Sequence, residues 1–256
     1  MVLHAEVQGA GPRTVLVHGF SQTRRSWGRA ATDLARRFEV VRVDAPGHGG
    51  SSRIAADVAE GARLIGEVGG EASYVGYSMG ARMCLRLALD CPTLVRSLVL
   101  VSGTAGIEDA DERRRRRAAD DRLAAELEQV GLDEFLRRWL ASPLFASLGP
   151  AEANLDARRE NTVAGLAASL RAAGTGVQEP LWDRLRQLTM PVLVVAGERD
   201  PAFRDRAAAM ADAIGGNAEL ALVPNAGHAL HLERPDDFVA AVAPFLDRYG
   251  PTTPGS

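Results

Sequence analysis

The sequence contains no lysine, so all 30 of its fixed basic side chains are arginine. Every such cation is a planar fork that matches a carboxylate, and none is an ammonium point charge. Cysteine is almost absent. Only Cys84 and Cys91 occur, and both fall in what reads as one helix. At about 1.5 Å of rise per residue they stand about 10 Å apart, beyond disulfide reach. Both are expected as buried thiols in a reducing compartment. No apolar run approaches the ~20 residues that a membrane span needs. Met1 to Glu6 lack the basic-then-apolar order of a secretion signal, so a cytoplasmic protein with no membrane association is expected. Excess charge is missing too. A net charge of −3 is no polyelectrolyte signal and argues against nucleic acid as a partner. The five histidines show no ligand spacing with carboxylates or cysteines, so no metal and no cofactor are expected. What remains is a small-molecule partner for a monomer or weak homo-oligomer.

The chain has 256 residues, 46% of them hydrophobic, which suffices for one large α/β domain. Short apolar strands alternate with amphipathic helices as far as Leu98-Val99-Leu100-Val101. Continuous apolar strands of this kind suit a parallel sheet covered on both faces. The alternation then stops. Helical periodicity alone runs over Asp111–Gln129, Asp133–Ala141, Ala151–Ala173 and a short piece near Trp182. Strand–helix order resumes at Val192 and ends with a helix from Pro235 to Arg248. The fold class is α/β, a mostly parallel doubly wound sheet with a helical lid inserted after the sixth strand. The core is assigned to 1–103 and 189–249, the lid to 104–188 and a disordered tail to 250–256. Helices inserted over the carboxyl edge of such a sheet cover the place where ligands bind.

Within that frame Ser73-Tyr74-Val75-Gly76-Tyr77-Ser78-Met79-Gly80-Ala81-Arg82 is a strand, a Gly-x-Ser-x-Gly turn and a helix starting at Ala81. That context marks the nucleophile elbow of an α/β-hydrolase fold. The turn is so tight that Gly76 and Gly80 must lack side chains, and Ser78 is held strained with its hydroxyl above the sheet. Asp200 and His228 each follow a later strand, giving the order Ser…Asp…His. Serine is a weak nucleophile or base until an imidazole takes its proton and a carboxylate fixes that imidazole's tautomer. His228 and Asp200 are assigned those roles, with Glu198, Asp205 and Asp212 as rivals to Asp200. The backbone N–H groups of Phe20 and Met79 are expected to form the oxyanion hole. His18 is read either as a second base or as a residue holding its loop. His48 is read as structural, His231 as a surface residue, and His4 lies on the edge strand. Arg82, one turn past Ser78, is either a carboxylate receptor or half of a structural salt bridge. Among Arg113–Arg117, five successive residues sweep more than a helical turn, so at least one faces the site.

These residues resemble a family of α/β-hydrolases, the synthases that make 2-succinyl-6-hydroxy-2,4-cyclohexadiene-1-carboxylate in menaquinone biosynthesis. The resemblance covers nearly the whole chain. It rests on His18-Gly19-Phe20-Ser21, Asp44-x-Pro46-Gly47-His48-Gly49-Gly50-Ser51 and Gly76-Tyr77-Ser78-Met79-Gly80-x-Arg82. More specific are Gly103-x-x-Gly106-Ile107 with the Arg-rich helix to Asp120, Trp139-x-x-x-Pro143-Leu144-Phe145-Ala146-Ser147-Leu148 and Ser169-Leu170-Arg171-x-x-Gly174-Thr175-Gly176-x-Gln178. Gly197-Glu198-Arg199-Asp200-x-x-Phe203 and Ala226-Gly227-His228-x-x-His231 complete it. Met79 stands where many relatives have leucine, and Ala81 where glycine is common. The resemblance implies a lyase that eliminates pyruvate from an enolpyruvyl polycarboxylate, with the Ser–His pair as base. It implies Arg82, Arg116, Arg158, Tyr77 and Trp139 as substrate-binding residues, with Arg159 beside Arg158. Fold alone does not settle function. A serine esterase or carbon–carbon bond hydrolase acting on a small carboxylated substrate is the rival reading, and a non-enzymatic binding module is a third.

Overall fold

In a computed structural model that describes residues 1–249, the chain lays down seven strands. They are β1 (Ala5–Gln8), β2 (Arg13–Val17), β3 (Glu39–Val43), β4 (Ala72–Tyr77), β5 (Val95–Val101), β6 (Val192–Gly197) and β7 (Ala218–Val223). The ten helices are α1 (Gly28–Leu34), α2 (Val58–Gly69), α3 (Met79–Asp90), α4 (Ala110–Val130), α5 (Leu132–Leu140), α6 (Leu155–Arg158), α7 (Val163–Ala173), α8 (Pro201–Ile214), α9 (Leu230–Glu233) and α10 (Pro235–Tyr249). One sheet takes all the strands in the order β1-β3-β2-β4-β5-β6-β7. Only the β1–β3 pair is antiparallel. The expected disordered tail lies outside the described residues.

Every residue of β4 and β6 is buried, because helices cover both faces of the sheet. Helices α2, α3 and α8 contribute to the apolar cluster on one face and α1 and α10 to that on the other. A third cluster belongs to the insertion. There α4 (Ala124, Leu127), α5 (Phe135, Leu136) and α7 (Leu166, Ala167, Leu170) bury one another. The arginine-rich first half of α4 adds nothing to that cluster, so its second half anchors the helix.

Several boundaries differ from the sequence reading. The insertion follows β5, the fifth strand rather than the sixth, since only five strands precede the helices of the lid. The helix expected over Ala151–Ala173 is broken between Arg158 and Val163. Thr162 accepts from the Gly165 N–H and caps a new helix, α7, so local side-chain chemistry overrides the run of periodicity. The elbow helix begins at Met79, directly after the turn. Cys84 is buried as expected, while Cys91 is half-exposed at the end of α3, and both are free thiols. Among the described residues no helix is long and apolar enough to cross a membrane.

Candidate active site

Ser78 sits between β4 and α3 with φ 51° and ψ −105°. That is a left-handed conformation, costing about 1–3 kcal/mol for a side-chain-bearing residue. Its surroundings hold it there. The Ser78 N–H donates to the Val101 carbonyl at 2.8 Å. A side chain at Gly76 would press on the Gly80 carbonyl, and one at Gly80 would overlap the Val17 carbonyl. The elbow therefore closes only with glycine at both positions.

The loops after β6 and β7 bring two further groups to the same point. His228 Nε2 lies 3.2 Å from Ser78 Oγ, and His228 Nδ1 lies 3.0 Å from Asp200 Oδ2. Asp200 also caps α8 through the Phe203 N–H. The His228 backbone is clamped on three sides. Ser102 Oγ donates to its carbonyl at 2.9 Å. The Glu233 carboxylate accepts the N–H groups of Gly227 (2.7 Å) and Ala229 (3.0 Å). Phe203 packs on the imidazole at 4.4 Å between ring centroids. The rivals Glu198, Asp205 and Asp212 make no contact with His228 among the described hydrogen bonds. Nothing in the sequence reading pointed to Glu233, although its place five residues after His228, on the turn that follows, was visible.

The expected oxyanion donors flank the serine. Met79 is the first residue of α3, and Phe20 comes from the turn after β2. Gly19 makes that turn fit, since a side chain there would overlap the Tyr77 ring and lie 3.3 Å from Ser78 Cβ. The Gly19 N–H donates to Gln22 Oε1 and the Ser21 N–H to His48 Nε2. The Phe20 N–H between them has no acceptor among the described residues.

His18, His48 and His231 are all buried. His18 Nε2 accepts from the Ala45 N–H and its Nδ1 donates to the Gly19 carbonyl, which fixes a neutral tautomer and leaves no free base. His48 Nδ1 donates to the Pro46 carbonyl at 2.9 Å. His231 is not the surface residue expected. The α9 turn folds it inward between Trp27 and Tyr77, at 4.7 and 4.4 Å between ring centroids. Burial pushes His18 below its ordinary value and holds His48 and His231 down at about 3. The unfolded chain therefore binds protons that the folded chain refuses between about pH 6.5 and about 3. This stabilisation is complete above that window and is lost as pH falls through it. Urea melts at pH 7 and pH 5 should show a lower midpoint at pH 5. His48→Gln should flatten the difference, and equal midpoints for the wild type would contradict neutral burial.

Above the serine a cavity of about 620 Å³ opens under the lid. Tyr77, Arg82, Arg116 and Trp139 all line it. Arg82 is buried, and its guanidinium has one described partner, the neutral Gln178 Oε1 at 2.9 Å. It makes no salt bridge among the described residues, although Asp120 on the same cavity wall supports its charge through space. Burial and, secondarily, Arg116 hold it down at about 10, which still leaves it charged at neutral pH. Arg116 is the one of Arg113–Arg117 that lines the cavity, and it also pairs with Asp120 at 2.8 Å. The Trp139 indole N–H is buried and has no partner among the described residues. Glu108, Asp109 and Glu112 line the cavity from its exposed lid edge.

Arg158 is not part of the cavity wall, contrary to expectation. Helix α6 carries its buried guanidinium beneath the Phe20 turn, where Nε donates to the Ala153 carbonyl and Nη1 to Ser21 Oγ. Arg159 is exposed and pairs with Asp133. A cation the sequence reading missed lines the cavity instead. Arg206 lies over the Phe203 ring at 4.9 Å and has no acidic partner among the described residues. Its signal was spacing, because Phe203 and Arg206 are three apart on α8 and share a face. No cluster of three or more His, Cys, Asp or Glu that could hold a metal ion occurs among the described residues.

The sequence profile of the alpha/beta hydrolase family matches residues 14–242. A 2-succinyl-6-hydroxy-2,4-cyclohexadiene-1-carboxylate synthase of Klebsiella pneumoniae is 33% identical, over 96% of this chain and 99% of the relative. The solved structure of MenH from S. aureus superposes with a TM-score of 0.87 at 29% identity, covering 96% of this chain and 98% of that one. An esterase from Thermogutta terrifontis shares the fold, with a TM-score of 0.81 at 22% identity over 97% of this chain and 94% of that one.

Proposed function

Because the chain belongs to the alpha/beta hydrolase family, and within it to the 2-succinyl-6-hydroxy-2,4-cyclohexadiene-1-carboxylate synthases, we propose that it is a lyase of menaquinone biosynthesis. Its substrate is 2-succinyl-5-enolpyruvyl-6-hydroxy-3-cyclohexene-1-carboxylate, and pyruvate is eliminated. The free thiols Cys84 and Cys91 suit a reducing, cytoplasmic setting. The observation that carries the reading is Arg82, a buried cation with no salt bridge among the described residues, facing the cavity above Ser78; Asp120 acts on it only through space and is itself paired with Arg116. An unpaired buried charge is costly unless a ligand completes it. A neutral ester leaves that charge unmatched, whereas a carboxylate matches it.

The chemistry follows from the substrate and product structures. A proton leaves C2, which is acidified by the adjacent succinyl ketone. The C2–C3 bond becomes double, the C3=C4 bond moves to C4=C5, and the C5–O bond breaks. The enolpyruvate released takes up a proton and becomes pyruvate. In this reading Ser78 and His228 together form the base, with Asp200 holding the imidazole tautomer and bearing its developing charge. The ketone oxygen gains negative charge as the proton leaves, and the Phe20 and Met79 N–H groups receive it. The substrate carries three carboxylates, and Arg82, Arg116 and Arg206 line the cavity to meet them. Tyr77 and Trp139 supply aromatic walls.

The test is to incubate the protein with the enolpyruvyl tricarboxylate and follow pyruvate with lactate dehydrogenase, beside a panel of p-nitrophenyl esters. Pyruvate released at least a hundredfold faster than any ester is hydrolysed supports the lyase. Ester turnover without pyruvate makes the protein a hydrolase. Arg206 gives a smaller check. It is exposed at the rim, so Arg206→Ala should raise KM about tenfold, the worth of one charge-assisted contact. An unchanged KM would remove it from the binding set.

A further inference from the structure

Ser21 has φ 62°, left-handed like Ser78, although serine has no intrinsic preference for that region. All its polar groups are engaged. Its N–H donates to His48 Nε2 at 3.2 Å, its Oγ accepts from Arg158 Nη1 at 2.6 Å, and its carbonyl accepts from Asn161 Nδ2 at 3.1 Å. His48 belongs to the core, while Arg158 and Asn161 stand at the break between α6 and α7 in the lid. Asn161 also accepts from the Gly49 N–H at 3.0 Å, and Thr23 Oγ1 donates to the Ala157 carbonyl at 3.4 Å. The break that periodicity missed is thus bolted to the turn after β2. That turn carries Phe20, whose N–H comes immediately before Ser21. Arg158 is buried with no carboxylate partner among the described residues, a costly arrangement that its two hydrogen bonds offset only in part.

We propose that Arg158 is a positioning residue that couples the seating of the lid to the aim of the oxyanion hole. With Asn161 it pins Ser21 in its left-handed conformation, and this turns the Phe20 N–H toward Ser78. The hole is complete only while the α6–α7 junction is docked. The substrate-carboxylate role that the resemblance implies for Arg158 does not fit its place outside the cavity lining, where Nη1 binds the turn and the buried Nη2 has no partner among the described residues. The inference rests on the lyase reading for its activity readout, and a second readout is independent of it.

Two variants test the coupling. Arg158→Met keeps the length and apolar stem of the side chain, and Ser21→Ala removes only the acceptor. Each should lower kcat for pyruvate release about ten- to a hundredfold, part of the full loss of an oxyanion donor, with KM within about twofold of wild type. Combined in one chain they should cost little more than either alone, because they break the same link. Hydrogen–deuterium exchange of the segment 19–23, which needs no substrate, should quicken in both. A KM increase at constant kcat for Arg158→Met would make Arg158 a substrate ligand and overturn the proposal. Multiplicative losses in the double variant, or unchanged exchange at 19–23 in both single variants, would overturn it as well. If Arg158→Met does not fold, Ser21→Ala carries the test through its kcat and exchange. If the wild type releases no pyruvate, the lyase reading fails, and the exchange measurement still decides the coupling.

Discussion

Ser78→Ala is expected to lower kcat for pyruvate release by at least about a thousandfold, the scale seen when one member of such a triad is removed. The reason is geometric. His228 Nε2 reaches Ser78 Oγ at 3.2 Å, and Asp200 holds the opposite ring nitrogen at 3.0 Å. In the proposed reaction the hydroxyl is the contact between imidazole and substrate, so its loss breaks the proton path. Binding contacts in the cavity are untouched, and KM should stay within a few-fold. Folding should be little affected, because alanine at φ 51° meets the same strain as serine. Ser78→Ala combined with His228→Ala should be no slower than either alone, since the two act as a unit. Turnover of the single variant within tenfold of wild type would remove Ser78 from the chemistry.

Arg82→Met has the second largest expected effect, and it should move activity and stability in opposite directions. The guanidinium is buried, held down by desolvation, and its one hydrogen-bond partner among the described side chains is the neutral oxygen of Gln178. Methionine fills similar space without a charge to desolvate, so the thermal midpoint should rise. The same change deletes the most buried of the three arginines that line the cavity. A buried charged contact of this kind is worth about 2–5 kcal/mol, so kcat/KM should fall by about thirtyfold or more. Hydrolysis of any neutral ester should hardly change. Both quantities can be read on one preparation, by thermal melt and by the lactate dehydrogenase assay. A lower midpoint with activity retained would show that Arg82 serves the fold instead.

The parts of the site legible in the sequence are those set by short-range geometry. Gly76 and Gly80 announce the elbow because no side chain fits there. Asp200 and His228 follow apolar strands, and a parallel sheet delivers such loops to one edge. What stayed hidden depends on contacts far apart in the chain. His231 looks like any loop histidine until α9 turns it against Trp27 and Tyr77. Arg158 and Arg159 are adjacent and chemically identical, yet one is buried under the Phe20 turn and the other pairs with Asp133 at the surface. The break after Arg158 was readable in principle, since Thr162 is a helix-capping residue, but apolar periodicity ran through it. Arg206 is exposed like many of the chain's arginines, and only the fold brings it to the edge of the cavity. Strand patterning stops at Val101, where β5 ends and the run of helices begins, after five strands rather than six.

In an elimination the serine is never acylated, and in a hydrolase it is. Intact-protein mass spectrometry during steady turnover of the enolpyruvyl tricarboxylate, with pyruvate quantified in the same quench, separates the two. Pyruvate accumulating one for one with substrate lost, over a protein that keeps its unmodified mass, is the expected result. A covalent adduct that maps to Ser78, or substrate consumed without pyruvate, would contradict it.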